Sequence, residues 1–491
     1  MRSGGNNNRH IFHIVFLSLF FVIFGTSFNP ALARTELLPN ANKELTDEEL
    51  AGVTAQAGIS INMDVTMDVG YQTVAWGDQD GHSGATGAGW IGYKNLEIDS
   101  LHLWPRTDYT MDSSNWNKLA LLTIDVVSLS DPESETDHGE LYGLDTITKL
   151  RIGIPTLTVT MDKMSGELML GPGDSDYSIG GQVGGSYVGA VNIHRANLNQ
   201  SLGHFELRGM NLYYDAGGYM LIGAHGANST AVPGMTGSGV SISISDSKEH
   251  IDFGYIGFSD TDNGNWIGLE GFTVDDGAGG YFSFDTPSDT PITFDVGTDD
   301  SGRTAMRFVL SSHVLPRTYS ADHFIFCNQD IGSLAFNGIT EGPAELLIAA
   351  HQGGYQGIDY EFSTVFNMDS LNYTYNSVPN SFNVSGVHIA GAATGSPEDP
   401  ASWSFSGKFQ IGDLDGEEID VDNNPGNAAV PNPATIDVGT DTATGNTTMV
   451  LALPMKGTAR VEDVTMGGRS LGPCAIDGIT VHHLNLTFSP N

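Results

Sequence analysis

The chain has 491 residues, with 20 Lys and Arg against 59 Asp and Glu and a formal net charge of −39. This balance excludes nucleic-acid binding by attraction to phosphate and speaks against a basic membrane-surface patch. A hydrophobic content of 40% can build a core, and 2 Cys cannot make a disulfide-rich scaffold.

Residues 1–33 are typical of a secretory signal peptide. Arg2 and Arg9 precede an apolar run at 11–24, and Ala31-Leu32-Ala33 gives an A-x-A cleavage site. The run is shorter than the roughly 20 residues that a membrane span needs. We therefore expect cleavage, with an uncleaved anchor as the alternative, and no membrane-spanning segment afterwards. The mature chain is expected on the outer cell surface or outside the cell, with the periplasm as the alternative.

Residues 34–57 are predicted to form a linker and one short helix at 46–55. Thr46 can cap this helix, and Glu49 can bond back to it as a capping box. Gly58 can end the segment.

From Gly58 onward the pattern changes to short alternating apolar runs separated by Gly, Asp, Asn and Ser. Alternation of this kind indicates half-buried strands. Examples are the runs at 156–161, 240–244 and 362–366. The sequence therefore predicts an all-β, Gly/Asp-rich antiparallel fold with one N-terminal helix.

The strand region is predicted to contain three divergent repeats, at 58–238, 239–385 and 386–491. The repeats open with Gly-apolar-x-Ile segments at 58–61, 239–242 and 386–389. Related Asp-Val segments follow at 122–126, 292–296 and 434–438, and apolar strands at 150–155, 306–311 and 449–454. Apolar-Gly segments close the units at 188–193, 331–336 and 471–476. This order predicts duplicated β-units, either as separate sandwiches or as stacked strands of one continuous, solenoid-like sheet.

No catalytic motif is present in the chain. Nucleophile elbows, H-E-x-x-H, P-loops and C-x-x-C are all missing from the sequence. The segment Gly87–Gly92 fits G-x-G-x-x-G but leads into a strand instead of opening a helix. We therefore predict a protein that is not an enzyme, with no catalytic residues and no cofactor site.

One acidic segment offers a candidate metal site. Asp413, Asp415 and Glu417 alternate around Gly416, which resembles part of a Ca²⁺ loop because hard cations take carboxylate oxygens. The full twelve-residue spacing of such loops is missing. The alternative is a solvated β-turn, where Asp and Gly are simply preferred.

The cysteines and tryptophans leave two questions open. Cys327 and Cys474 could pair in an oxidising compartment, but sequence does not give their separation. Trp90, Trp266 and Trp403 could stack on sugars. The first two occupy the same place in the repeat, which favours core packing.

The segment Leu45–Ile59, LTDEELAGVTAQAGI, resembles the N-terminal hallmark of an uncharacterised family of exported bacterial proteins. Some members of that family are named as components of a Fil-type pilus system. Ala55 stands where the family pattern has Gly. The resemblance implies a Gram-negative protein that is associated with the surface or with filaments, and it carries no catalytic residues.

These observations favour an exported structural or interaction protein of the cell surface, associated with pili or filaments or acting as an adhesin. Its expected partners are other copies of itself or surface or pilus proteins. The alternatives are a secreted carbohydrate-binding or carbohydrate-active protein, and an envelope protein with a β-groove for lipid.

Overall fold

The computed structural model describes residues 59–61, 65–78, 87–106, 122–128, 148–153, 156–174, 178–183, 186–192, 195–215, 220–225, 235–244, 247–260, 264–284, 292–299, 303–310, 316–350, 358–375, 378–421 and 430–489. The predicted signal peptide and the predicted helix at 46–55 lie outside these residues. No helix in the described ranges is long and apolar enough to cross a membrane.

Strands make up most of the described chain. The first seventeen are β1 Ile59–Ile61, β2 Val65–Asp78, β3 Gly87–Arg106, β4 Leu122–Ser128, β5 Thr148–Gly153, β6 Thr156–Asp174, β7 Ser178–Val183, β8 Ser186–Asn192, β9 Arg195–Ala196, β10 Gln200–Asp215, β11 Met220–His225, β12 Met235–Ile244, β13 Ser247–Ser259, β14 Trp266–Asp275, β15 Phe282–Phe284, β16 Ile292–Asp299 and β17 Thr304–Leu310.

The remaining strands are β18 Arg317–Phe326, β19 Gln329–Asp330, β20 Ser333–Glu341, β21 Ala344–Ala350, β22 Ile358–Thr364, β23 Phe366–Tyr375, β24 Val378–Ala390, β25 Ala392–Thr394, β26 Ser404–Ser406, β27 Phe409–Ile411, β28 Ala434–Thr440, β29 Thr447–Ala452, β30 Met455–Met466, β31 Arg469–Ser470, β32 Cys474–Val481 and β33 Asn485–Phe488. A 3₁₀ turn at Pro400–Ser402 lies between β25 and β26.

The long strands form two antiparallel ladders, and the chain adds to them alternately. The first ladder has the order β2-β3-β6-β10-β13-β14-β18-β20-β23-β24-β30-β32. The second has the order β1-β4-β5-β11-β12-β16-β17-β21-β22-β28-β29-β33. Each pair of strands added to one ladder is followed by a pair added to the other, so the predicted all-β antiparallel fold is confirmed.

The strands follow the period of two that the alternating sequence predicts. In β29, Thr447, Met449 and Leu451 are buried while the residues between them are less so. Successive side chains of a strand point to opposite faces, so alternation buries one face. The core of the first ladder is likewise built from apolar residues of neighbouring strands, among them Met161, Leu170, Phe205, Leu207, Met210, Leu269 and Phe272.

Within the described residues, strand pairing joins the ladders at two places. The short strand β27 pairs with β22 of the second ladder and with β30 of the first. At the other end of the first ladder, the end of β28 pairs with the start of β3 through Gly439–Ala88 and Thr440–Gly87. Gly89 is required there, because a Cβ at this position would overlap the Val438 carbonyl.

Gln200 strengthens this second junction. Its Nε2 donates to the Gly445 carbonyl at 3.1 Å, and its Oε1 accepts the Thr447 N–H at 2.9 Å. The amide side chain therefore binds the turn between β28 and β29 as a peptide group of a neighbouring strand would. Residues 245 and 247 positions apart in the sequence are held together in this way.

The repeated segments occupy equivalent strands only in part. The Asp-Val segments lie in β4, β16 and β28, and the apolar segments that follow overlap β5, β17 and β29. These six strands form three hairpins of the second ladder. By contrast, the segment at 386–389 lies in β24 of the first ladder, and the one at 188–193 overlaps β8, which pairs only with β7 among the described strands. Residues 56–491 cluster as one compact unit, and the unit boundaries at 239 and 386 stay a prediction.

A shorter repeat runs through the first ladder and was missed in the sequence. The second strand of each of its hairpins carries one residue with φ between 52° and 65°, which we call the left-handed position: Ser100, Gly209, Gly271, Gly338, Gly386 and Gly478. An apolar residue follows directly in every case: Leu101, Met210, Phe272, Ile339, Val387 and Ile479. This φ favours glycine, which explains the identity of most members.

We predict that Gln200→Ala weakens the junction between the ladders. The Thr447 side chain is fully buried, so the loss leaves a backbone N–H there without its partner, which costs about 1–3 kcal/mol. Urea unfolding followed by circular dichroism should show that lower free energy of unfolding. Gln329→Ala, at an exposed position in β19, is the control and should change it by less than about 0.5 kcal/mol. Equal effects of the two substitutions would contradict the prediction.

Candidate metal centre

The predicted acidic segment lies in a loop that begins where β27 connects the two ladders. Gly412 follows β27, and its N–H donates to the Pro454 carbonyl at 2.8 Å. Asp413 then exchanges two backbone hydrogen bonds with Asn432, at 2.9 and 2.8 Å. The loop therefore starts from a fixed backbone position.

The Asp413 side chain organises the rest of the loop. It is fully buried, and its carboxylate accepts the N–H of Gly416 at 2.8 Å, that of Glu418 at 2.7 Å, and that of Ile419. Gly416 has φ of +80°, which reverses the chain at this point. A buried carboxylate needs such donors, because burial without hydrogen bonds is costly.

Groups from the second ladder hold the loop from the other side. Arg303 Nη2 donates to the Leu414 carbonyl at 3.3 Å, and Arg303 Nη1 lies 3.5 Å from Asp359 Oδ2 in a buried ion pair. The Leu414 side chain packs against Ala305 and Ala349. The loop is thereby held by main-chain, ionic and apolar contacts.

Three carboxylates converge at the loop. Oxygen atoms of Asp413, Asp415 and Glu418 all lie within 4.8 Å of one another. Asp413 is buried, whereas the other two are exposed. Glu361 of β22 lies beside them and accepts the Leu414 N–H through Oε2 at 3.2 Å. We call these four residues the carboxylate cluster.

Partial burial raises the pKa of three of the four carboxyl groups in the cluster. Burial raises the pKa of Glu361 to about 7, and the charges of Asp413, Asp415 and Glu418 act in the same direction. Burial, followed by a hydrogen bond with Asp415, raises the pKa of Asp413. Burial also raises the pKa of Glu418, although the Lys456 ammonium opposes this.

The structure brings together two of the three residues that the sequence pointed to. Asp413 and Asp415 are both in the group, but the third carboxylate is Glu418 and not Glu417. The expectation of Glu417 assumed an extended chain with alternate residues on one side. Instead, the turn at Gly416 brings the Glu417 N–H to Asp415 Oδ1 at 3.0 Å and places Glu418 beside the pair. Glu361 is distant in sequence, and no local pattern could have found it.

The arrangement can hold a hard divalent cation. Ca²⁺ takes six to eight oxygen ligands in flexible geometry, and Asp415 and Glu418 present carboxylate oxygens to solvent. Asp413 and Glu361 already accept backbone hydrogen bonds, so they would add mainly negative charge. Mg²⁺ demands a more regular octahedron, which makes Ca²⁺ the better fit.

The tryptophans considered for sugar stacking all contact protein groups. A Cβ on Gly77 would lie 2.5 Å from the Trp90 ring, so that ring covers Gly77. Trp266 meets Tyr255 edge to face at 6.1 Å. Arg460 lies over the Trp403 ring at 5.2 Å, and Trp403 Nε1 donates to the Ser396 carbonyl.

Both cysteines are free and exposed. Cys327 lies in the turn between β18 and β19, and Cys474 opens β32. Four strands of the first ladder, β20, β23, β24 and β30, separate β18 from β32. At about 4.8 Å per strand the two thiols lie far beyond disulfide distance.

Comparison with known proteins gives no relative, since no family model, curated protein or solved structure matches the chain.

We predict that Glu361 makes the fold less stable as the pH rises. Its pKa is about 7 in the folded chain against an ordinary 4.5, so the folded state holds the proton more tightly. Stability is therefore greatest below the ordinary pKa and falls as the pH rises through 7. In a chelating buffer, the free energy of unfolding should decrease between about pH 5 and about pH 8.

The variant Glu361→Gln keeps an acceptor for the Leu414 N–H and has no charge to titrate. Urea unfolding at a series of pH values should show a smaller decrease for this variant than for the parent chain. Glu398→Gln, which removes an acid at an exposed position away from the cluster, is the control and should not show this smaller decrease. A variant curve parallel to that of the parent would contradict the assignment.

Proposed function

We propose that the protein is an exported structural and interaction protein of the bacterial cell surface, associated with pili or filaments. The observation that carries the proposal is the open edge of the first ladder. Its last strand, β32, pairs only with β30 within the described residues. Ile476 in this strand is 56% exposed and the preceding Leu471 is 67% exposed.

An open strand edge is an interaction surface. Its unpaired N–H and C=O groups can pair with a strand of another chain, and neighbouring side chains then give specificity. Proteins commonly protect such edges with Lys or Pro, and neither residue occurs in β32. Exposed apolar side chains beside the edge add area that a partner would cover.

The sequence supplies the remaining support. The basic and apolar pattern at 1–33 is that of an exported chain. The resemblance of Leu45–Ile59 points to a pilus system. A net charge of −39 keeps an exported chain soluble through self-repulsion. The proposal includes no reaction, because no catalytic motif occurs in the sequence.

Cell fractionation with immunogold microscopy of the tagged full chain tests the cell-surface assignment. We expect label on the outer surface or along fibres of the producing cells. A variant lacking the apolar run at 11–24 is the control, and its label should stay inside the cell because export fails. A tagged parent chain found only as a soluble periplasmic or secreted monomer would contradict the assignment.

We also propose that the carboxylate cluster binds Ca²⁺, which would act as a structural ion at the loop between the ladders. The supporting observation is the convergence of Asp413, Asp415 and Glu418 within 4.8 Å beside Glu361. Because burial raises the pKa of Glu361 to about 7, a divalent cation would compete with the proton of this carboxyl group. Binding would therefore stabilise the loop and release protons.

Calorimetric titration of the full chain with CaCl₂ tests this assignment. We expect measurable binding, and stabilisation of about 3 kcal/mol once free Ca²⁺ reaches about 100 times its dissociation constant. The double variant Asp415→Asn/Glu418→Gln should lose both effects.

The control removes the same charge from an exposed segment. Glu398→Gln/Asp399→Asn changes two acids near the 3₁₀ turn and should bind Ca²⁺ as the parent does. No binding by the parent, or equal binding by both double variants, would show that the cluster is a solvated turn.

A further inference from the structure

Within the first ladder, neighbouring hairpins meet in a constant register. Ser100 lies between the pairs Asp99–Lys163 and His102–Thr160, so it faces Asp162 of the next hairpin. Each later left-handed position likewise lies directly opposite a residue in the first strand of the next hairpin. These pairs are Gly209 with Gly254, Gly271 with Asp322, Gly338 with Asp369, and Gly386 with Glu462.

The facing residue is acidic in four of these five described junctions, and in three of them its side chain covers the left-handed position. A Cβ on Gly271 would lie 2.6 Å from Asp322 Oδ2. Cβ atoms on Gly338 and Gly386 would overlap Asp369 and Glu462 in the same way. At these three boundaries, a left-handed glycine on one strand is thus covered by an acidic side chain of the next strand.

The last left-handed position lies at the open edge. Gly478 is in β32, and within the described residues nothing lies within 4 Å of a Cβ built on it. The pairing of β32 with β30 continues on both sides of this residue. The left-handed positions of β3 and β20 also interrupt their ladders without ending them. Gly478 is therefore compatible with a further strand.

At the opposite edge of the ladder, Asp68 of β2 corresponds to the acidic residues that face the left-handed positions. Asp68 follows Met67 in β2, as Asp162 follows Met161 and Asp369 follows Met368. Asp68 accepts the Ser100 N–H at 2.7 Å within its own hairpin. In the described part of the chain β2 pairs only with β3. Met67 and Val74 are 40% and 37% exposed, and β2 contains neither Lys nor Pro.

The strand count makes the two edges compatible in direction. The described first ladder has twelve strands, all antiparallel to their neighbours. Because the number is even, β2 and β32 run in opposite directions. A second copy in the same orientation would therefore add its β2 antiparallel to β32, and the alternation would continue without a reversal.

We propose that β32 of one copy pairs with β2 of the next copy, with Gly478 facing Asp68. The partner is thus a second copy of this chain, joined head to tail. This register places Cys474 opposite Gln72 and Ile479 opposite Met67. It rests on the proposed interaction function, for which it names the partner and the edge. A head-to-tail contact extends into a filament unless the rotation between successive copies closes a ring.

Disulfide trapping tests the register in the full chain. The variant Gln72→Cys/Cys327→Ala keeps the native Cys474 and places a second thiol opposite it in the neighbouring copy. Directly opposed residues lie within the Cα separation of about 7 Å that a disulfide allows. Under mild oxidation we expect dimers, trimers and longer species on a non-reducing gel.

The off-register control is Thr66→Cys/Cys327→Ala. Thr66 lies six residues from Gln72 in the same strand, or about 20 Å at the rise of a strand. This variant should give little crosslinked product. Equal crosslinking of both variants, no crosslinking of either, or a link formed within a single chain would overturn the proposal.

Mixing two edge variants tests the head-to-tail arrangement independently of disulfides. Met67→Lys places a charge on β2, and Ile476→Lys places one on β32, so each variant keeps one intact edge. Alone, each should sediment as a monomer under conditions in which the parent assembles. Mixed, they should form dimers and nothing longer.

Val296→Lys is the matched control for these variants. Val296 is 50% exposed but lies in β16, which has paired neighbours on both sides, so assembly should remain unchanged. Dimers of Met67→Lys alone would indicate a symmetric β32–β32 contact and would overturn the proposal.

If no assembly occurs while immunogold label stays on the cell surface, the pairing fails and the cell-surface function stands. If crosslinks form but the chain is not at the surface, the pairing stands and the cell-surface function fails.

Discussion

The structure depends on one requirement, namely that the backbone polar groups of each strand find partners in neighbouring strands. A buried N–H or C=O without a partner costs as much as a lost hydrogen bond. The chain meets this requirement by adding strands to two ladders in turn, so that each new hairpin covers the edge left by an earlier one. The contacts of β27 and β28 then join the ladders where two edges come close. The loop with the carboxylate cluster follows β27, so its position is a result of this pairing.

The sequence predicted the secondary structure of this fold better than the order in which its strands pair. Alternating apolar runs are local, and they identified the strands at 156–161 and 240–244 correctly. The run at 362–366 was wrong as a single strand, because it spans the end of β22 and the start of β23. The repeated segments in β4, β16 and β28 were also recognisable, because each contains five consecutive residues that resemble those of the other two. The six left-handed positions were missed because insertions of different length separate them, for example the hairpin of β7 and β8 between β6 and β10. A search at a fixed period does not detect such a repeat.

The candidate site shows the same division between local and distant information. Asp413 and Asp415 were visible in the sequence because Asp and Gly at short spacing mark a tight acidic loop. The choice of Glu418 over Glu417 depends on the backbone turn at Gly416, and the presence of Glu361 depends on the pairing of β22 with β27. Neither can be read from a local pattern. The ionic support from Arg303 and Asp359 is likewise assembled from separate strands.

The two hydrogen bonds of the Gln200 side chain have a consequence for the order in which the chain can fold. Its two partners, Gly445 and Thr447, come almost at the end of the sequence. Contacts between such distant segments are slow to form, because a long loop must close before they can stabilise anything. The surface of β3 and β6 that the β28–β29 hairpin contacts stays uncovered until this hairpin has been synthesised. Chains that end before residue 447 therefore keep that surface open, and such exposed strands are prone to aggregate.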